Sequence, residues 1–183
     1  MMKHLTMTEL KAGLDEIRQS PGDHGRLALI VNRPAEDERV VQETGELSLE
    51  EGLVGDNWRI RGSKAAKDGS ALMEAQITIT NSRAIALYAQ DDSRWALAGD
   101  QLYVDLDLSA ENLPPGQQLA IGTAVLQLSS VPHNGCKKFA NRFGVDVMKF
   151  ANSAEGKQMR LRGINTRVIR PGIIRVGDTV RKV

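Results

Sequence analysis

Three features of the sequence predict a mainly β fold with a few helices: several short strand-like runs, glycine or proline at many of their ends, and few aromatic residues. Gly occurs 17 times and aromatic residues make up only 4% of the chain, so turns should be many. Short strands punctuated in this way indicate a β-barrel or a β-sandwich. The 183 residues suit one domain with a sizeable hydrophobic core, and neither an internal repeat nor a linker divides them.

The first element is an exception, a helix. Thr6 and Glu9 fit a capping box, and Met7, Leu10, Leu14 and Ile17 fall on one face. Ser20-Pro21-Gly22 ends it, and it should pack on the outside of the main fold. After Gly25, the run RLALIVN reads as a strand stopped by Pro34. Val40-Val41 begins a second strand that should end near Gly45. SLEEGLVGDNW, with Ser48 and Glu51 as a small capping signal, reads as one helical turn and then an irregular loop. Residues 62 to 70 are rich in Gly, Ser, Lys and Ala and should be a loop.

In EAQITITNS, Ile77 and Ile79 alternate with Thr78 and Thr80, as a strand requires, and Asn81 or Ser82 can cap the short helix RAIALYAQ. QLYVDLDLS alternates strictly, with Leu102, Val104, Leu106 and Leu108 on one face. QQLAIGTAVLQLSSV follows, with Gly122 as its turn or bulge. A helix is predicted over about 137–151, with Phe139, Phe143, Val147 and Phe150 at helical spacing, and GINTRVIRPG and IIRVGDTVRKV close the chain as strands.

Composition narrows the function classes. Charged residues make up 26% and hydrophobic residues 41%, as in soluble globular proteins. The longest apolar runs fall far short of the roughly 20 residues that span a bilayer, and the N-terminus lacks the apolar stretch of a secretory signal. A single cysteine forms no internal disulfide. The expectation is a cytoplasmic protein. Net charge is only +1, but residues 133–175 hold 10 Lys/Arg against 2 Asp/Glu, which suits either a solvated basic face or an anion site. Neither tryptophan lies among other aromatics in a basic stripe, so no nucleic-acid or membrane partner is expected. Glycine-rich phosphate loops, a G-x-S-x-G elbow and an H-E-x-x-H motif are all absent.

VPHNGCKKFANRFG is the segment most suited to chemistry. Pro132 to Gly135 should form a turn, leaving Cys136 at or near a helix N-terminus, where backbone amides favour an anion. Lys137, Lys138 and His133 add positive charge nearby. Such surroundings favour the thiolate, which is both the nucleophile and the metal-ligand form. Against this stands the ordinary fate of a free cysteine, a small buried hydrophobe. With one Cys and three His, no zinc-type spacing exists. A second cluster, QMRLRGINTRVIRPG, crowds Arg160, Arg162 and Arg167, whose planar forks suit phosphate or carboxylate, although alternating arginines also decorate wet strand faces. Asn165 lies among them, although nothing in its local sequence requires a ligand there.

The segments GDQLYVDLDLSAENLPPGQQLAIGTAVLQLSSVPHNGCKKF and RGINTRVIRPGIIRVGDTV together resemble the MOSC family, named for the C-terminal domain of molybdenum-cofactor sulfurases. The resemblance covers residues 75–183 well and 25–74 loosely. It implies a β-barrel related to that of pyruvate kinase, one domain over residues 1–183, with 1–24 as the N-terminal helix and lead-in and 25–183 as the barrel. It implies that Cys136 is the family's characteristic cysteine, either a molybdenum ligand in a reductase of N-hydroxylated compounds or the carrier of a persulfide.

For the cofactor it implies molybdopterin, with Arg160, Arg162, Arg167, Asn165, Lys137, Lys138, His133 and Asn134 as candidate binding residues. This chain departs from the family's common Pro-Cys pattern by having His-Asn-Gly-Cys. No pyridoxal-phosphate site is evident within it. A pyridoxal-phosphate-dependent cysteine desulfurase or a separate electron donor is therefore the expected partner. Three readings stay open on the sequence: a molybdenum-cofactor protein, a metal-free sulfur carrier, and an anion-binding module with an inert cysteine.

Overall fold

The computed structural model describes residues 3–183. Eleven strands run β1 (Gly25–Asn32), β2 (Val40–Gln42), β3 (Thr44–Ser48), β4 (Gly52–Leu53), β5 (Ile77–Asn81), β6 (Leu102–Asp105), β7 (Gln118–Ile121), β8 (Ala124–Leu128), β9 (Ile164–Arg170), β10 (Gly172–Arg175) and β11 (Thr179–Lys182). Seven of them close a barrel in the order β1, β6, β5, β9, β8, β7, β11 and back to β1. All these pairs are antiparallel except β5 and β6, which are parallel. They are joined by a helix (Ser82–Ala89) and a 3-10 segment (Asp92–Ala98), since a parallel pair needs a crossover rather than a hairpin. The strand β2 extends one edge, on β1, and β10, β3 and β4 form a small second sheet.

Alternation along the strands explains the two hydrophobic layers. Leu27, Ile30, Ile77, Ile79, Leu102, Val104, Leu126 and Val180 point into the barrel and are buried. Val31, next to Ile30, and Tyr103, between Leu102 and Val104, point outward and are covered by helices, and a bulge between Leu27 and Leu29 lets both Leu27 and Ile30 face inward. Those helices are α1 (Met7–Ala12), α2 (Leu14–Arg18), α4 (Ser82–Ala89), α5 (Lys137–Phe143) and α6 (Val145–Asn152), while α3 (Trp58–Arg61) and α7 (Ala154–Gln158) are single turns. Tyr88 meets Phe139 and Phe150 edge-on, with ring centroids 6.0 and 6.4 Å apart, which locks α4 to α5 and α6.

Several local expectations are met. Thr6 and Glu9 form the capping box, and Leu10, Leu14 and Ile17 pack outside the barrel. Asn81 caps α4 by accepting from Ala84 N at 3.0 Å. Gly122 turns β7 into β8 at φ 54.

Others are corrected. The N-terminal helix divides at Gly13, whose missing Cβ admits Leu87: a methyl there would lie 2.7 Å from Leu87 Cδ1. The predicted helix over 137–151 is two helices, because Gly144 leaves the helical region at φ 109 and takes the side chain of His4 against its backbone. Gly45 does not end a strand but sits inside β3, opposite Ile174 and beneath Leu53, where a side chain would not fit. Ser48 does accept from Glu51 N, at 2.9 Å, but the turn it caps joins β3 to β4 as a hairpin rather than starting a helix. The helical turn in that region comes later, at α3.

Candidate functional site

The crossover from the 3-10 segment into β6 passes through Gly99, in the left-handed conformation at φ 86, and places Asp100 beneath the helical layer with no exposure. A buried carboxylate needs partners. Asp100 has two: Oδ2 accepts from Arg162 Nη1 at 2.6 Å, and Oδ1 lies 2.8 Å from His133 Nε2. Arg162 also donates to Ala98 O at 3.1 Å, and its guanidinium stacks 4.6 Å over the Phe139 ring. Its Nε is buried with no partner among the described residues.

These contacts set the charge states. Burial alone would push the Asp100 carboxyl up, but Arg162 and His133 outweigh it and hold it down to about 2. Burial pushes the His133 imidazole below its usual value, and Arg162 adds to this, against the opposing pull of Asp100.

Residues 129–135 form a loop pinned at two points. Asn165, on β9, donates to Val131 O and Pro132 O at 3.1 and 3.3 Å, while its own carbonyl accepts from Ser129 N. Asn152, at the end of α6, exchanges two hydrogen bonds with the backbone of Gly135 at 2.8 and 3.0 Å. Gly163 lets this loop close down. A Cβ there would lie 2.4 Å from Ile79 O and 3.2 Å from His133 Cδ2.

Between the loop, α7 and the start of β9 lies a cleft of about 310 Å³, walled by His133, Asn134, Lys157, Arg160, Arg162 and Asn165 among others. Arg160 turns the chain into β9 from the left-handed region (φ 50) and anchors to Leu113 O at 2.5 Å. Among the described residues it has no carboxylate partner, and burial holds its guanidinium below the ordinary value.

Cys136 is the N-cap of α5, two residues beyond Asn134, and its thiol is exposed and free. It does not line the cleft. The helix it caps has only seven residues. The structure thus brings five of the sequence-predicted residues together around one cleft: His133, Asn134, Arg160, Arg162 and Asn165. It separates the others. Arg167 points outward from β9 onto Gln127, Lys137 is exposed, and Lys138 reaches across to Glu36 at 2.5 Å.

Sequence reasoning missed the acidic hub Asp100 and a second buried pair. Arg33 grips Asp56 with two forked bonds, Nε to Oδ1 at 2.8 Å and Nη2 to Oδ2 at 2.7 Å, and donates Nη1 to Gly99 O at 2.9 Å. Both aspartates follow a glycine, at Gly55-Asp56 and Gly99-Asp100. Glycine-aspartate in a tight bend was the only available signal. Among the described residues no cluster of three or more His, Cys, Asp or Glu side chains could hold a metal. No helix among them is long and apolar enough to cross a membrane.

A family model for the MOSC domain matches residues 73–181, more than half of the chain, from before β5 into β11. The chain belongs to the MOSC domain family. Solved structures share the fold. The YuaD protein from Bacillus subtilis aligns with TM-score 0.61 at 18% identity, over 86% of this chain and 94% of its own. YiiM from Escherichia coli aligns with TM-score 0.55 at 17% identity, over 86% of this chain and 69% of its own. YiiM from Geobacillus stearothermophilus gives 0.56 at 17%, over 87% and 75%. No curated protein matches the chain. In this MOSC domain the barrel is the frame, and the pinned loop, the cleft and Cys136 lie where β8, α5 and β9 meet.

Proposed function

We propose that this MOSC domain holds a molybdenum cofactor, with its anionic part in the cleft and Cys136 as the thiolate ligand. The observation that carries the reading is the cleft wall: two arginines and a lysine, of which Arg160 has no carboxylate partner among the described residues. A pterin phosphate would supply acceptors, and its ring polar groups suit Asn134, Asn165 and His133. A volume of about 310 Å³ sits at the lower end of small-molecule sites, which run from roughly 300 to 1,000 Å³.

Each protein group has a separate task in this reading. Arg160 and Lys157 bind the phosphate charge. Asp100 holds Arg162 and His133 in place, and Asn165 and Asn152 fix the loop that leads to the thiol. Cys136, a soft ligand on an exposed N-cap, is accessible to a metal centre. The bound group would supply two-electron redox chemistry for N-hydroxylated compounds, and a separate protein would supply the electrons. Replacing Arg160 and Lys157 together by Ala should cut the pterin recovered per chain at least tenfold, measured by fluorescence of the oxidised pterin after expression in a cofactor-making host. Unchanged pterin would rule out the cleft as the cofactor site.

One observation favours a second reading, sulfur transfer. The thiol is exposed and lies outside the cleft, as attack on a partner protein's persulfide would require. The Cys136 thiolate would attack the outer sulfur of a desulfurase persulfide, forming a new S–S bond, while the donor cysteine leaves as its thiolate. Mass spectrometry after incubation with a pyridoxal-phosphate-dependent desulfurase and cysteine should then show one added sulfur on Cys136. An unmodified chain contradicts this reading.

A further inference from the structure

The imidazole of His133 lines the cleft, and its two nitrogens have different surroundings. Nε2 lies 2.8 Å from Oδ1 of Asp100, a carboxylate with no exposure. Nδ1 has no hydrogen bond among the described residues. The side chain is 18% exposed, and its inner edge is closed. A Cβ on Gly163 would lie 3.2 Å from Cδ2, the carbon beside Nε2. The open part of the ring is therefore the opposite edge, which carries Nδ1.

The partners decide which nitrogen holds the proton. Arg162 donates to Asp100 Oδ2 at 2.6 Å, and a guanidinium cannot accept. Asp100 stays ionised because Arg162 and His133 outweigh its burial, and an ionised carboxylate only accepts. Nε2 must then be the donor in its bond to Oδ1. Burial first, and then Arg162 and Arg33, keep a second proton off the ring, against the pull of Asp100. Lys157 and Arg160, on the same cleft, add further positive charge. A neutral ring with its proton on Nε2 leaves a bare lone pair on Nδ1, which can only accept.

The cations of the cleft wall can only donate. Lys157 and Arg160 present N–H groups and have no carboxylate partner among the described residues. We propose that the Asp100–His133 pair makes this cleft selective for anions that also carry an N–H or O–H donor, which Nδ1 accepts while Lys157 and Arg160 hold the charge. This rests on the cleft being the anion site of the preceding reading, and adds what the anion must carry. Asp100 is a positioning residue that acts through the tautomer of His133. An anion without the donor would cover Nδ1 and leave its lone pair unmatched, which costs affinity.

Two measurements on the full chain, purified from a host that makes no molybdenum cofactor, test this. Nitrogen NMR of the isotope-labelled imidazole at neutral pH should show Nε2 protonated and Nδ1 bare. Asp100→Asn should exchange them. Arg162 still needs an acceptor, so the new amide turns its oxygen there and offers its NH2 group to Nε2, which moves the ring proton to Nδ1. Calorimetric titration then compares orotate, a ring carboxylate with N–H donors, with benzoate, a ring carboxylate without them. Orotate should bind about tenfold tighter, the scale of one hydrogen bond left unmade. Asp100→Asn and His133→Phe should each abolish that preference by weakening orotate alone, and Arg160→Ala should weaken both ligands. His133→Phe keeps a ring in place and leaves the Asp100–Arg162 pair intact, so it separates loss of the acceptor from loss of the fold. The proposal is overturned by a wild-type ring that carries its proton on Nδ1, by a lack of saturable orotate binding, or by a preference for orotate that survives His133→Phe. Failure of the anion reading looks different: orotate would still be preferred through His133, but Arg160→Ala would leave both affinities unchanged.

Discussion

Asp100→Ala should destabilise the protein by about 3–5 kcal/mol, the usual cost of removing one partner from a buried ion pair. The substitution strands Arg162, which is only 6% exposed, beside an empty carboxylate site, and removes the partner of His133. For a chain of this length each kcal/mol lowers the melting temperature by roughly 2–4 °C, so calorimetry should show a fall on the order of 10 °C. Adding Arg162→Met should recover part of the loss, because the stranded charge goes with it. A single variant that melts within about 2 °C of wild type would show that Asp100 is not the hub.

The same hub predicts acid sensitivity, with a definite sign. The Asp100 carboxyl is held at about 2 in the folded protein against an ordinary 3.8, so the unfolded chain binds its proton first. Its stabilisation is complete above about pH 4 and is lost as the pH falls toward 2. His133 acts in the same direction at higher pH. Its imidazole is held below the ordinary 6.5, so the unfolded chain takes up that proton first, and stability starts to decline below about pH 6.5. Asp100→Asn should flatten the lower part of this profile.

Cys136→Ser gives the other large effect. The thiol is exposed, caps α5 without any side-chain hydrogen bond and packs in neither hydrophobic layer, so its loss should leave the melting temperature nearly unchanged. Serine is a hard, neutral ligand and a poor substitute for a thiolate at a soft metal. Molybdenum per chain should therefore fall to less than a tenth of wild type. A variant that keeps its full molybdenum would exclude Cys136 as the ligand.

The barrel was legible because its strands carry a period of two. In Leu102–Val104–Leu106 and Ile77–Ile79 the apolar set faces one side, and burial confirms it. Breaks in regular structure were less legible. Gly13, Gly45 and Gly144 act through what packs against them, Leu87, Leu53 and His4, all distant in sequence. The site divides along the same line. Residues close along the chain, from His133 to Cys136 and from Arg160 to Asn165, could be nominated together. Asp100 could not, because a carboxylate in an alternating strand context looks like any solvent-facing residue until Arg162 and His133 arrive from 62 and 33 residues away. Arg167 was nominated for its charge, and it shares a face of β9 with Asn165, but two residues further along the strand it bonds Gln127 on β8 instead of the loop, while Thr166 between them faces the other way and bonds Ile77 O.

We propose that this MOSC domain is a molybdenum-cofactor protein organised around Cys136 and the cleft beside it. The measurement that tests it most directly is molybdenum and released pterin per chain, on wild-type protein expressed in a host that makes the cofactor. Close to one of each per chain is predicted. Protein that carries neither, while folded and with a free Cys136, would contradict the claim and leave sulfur transfer as the role of the thiol.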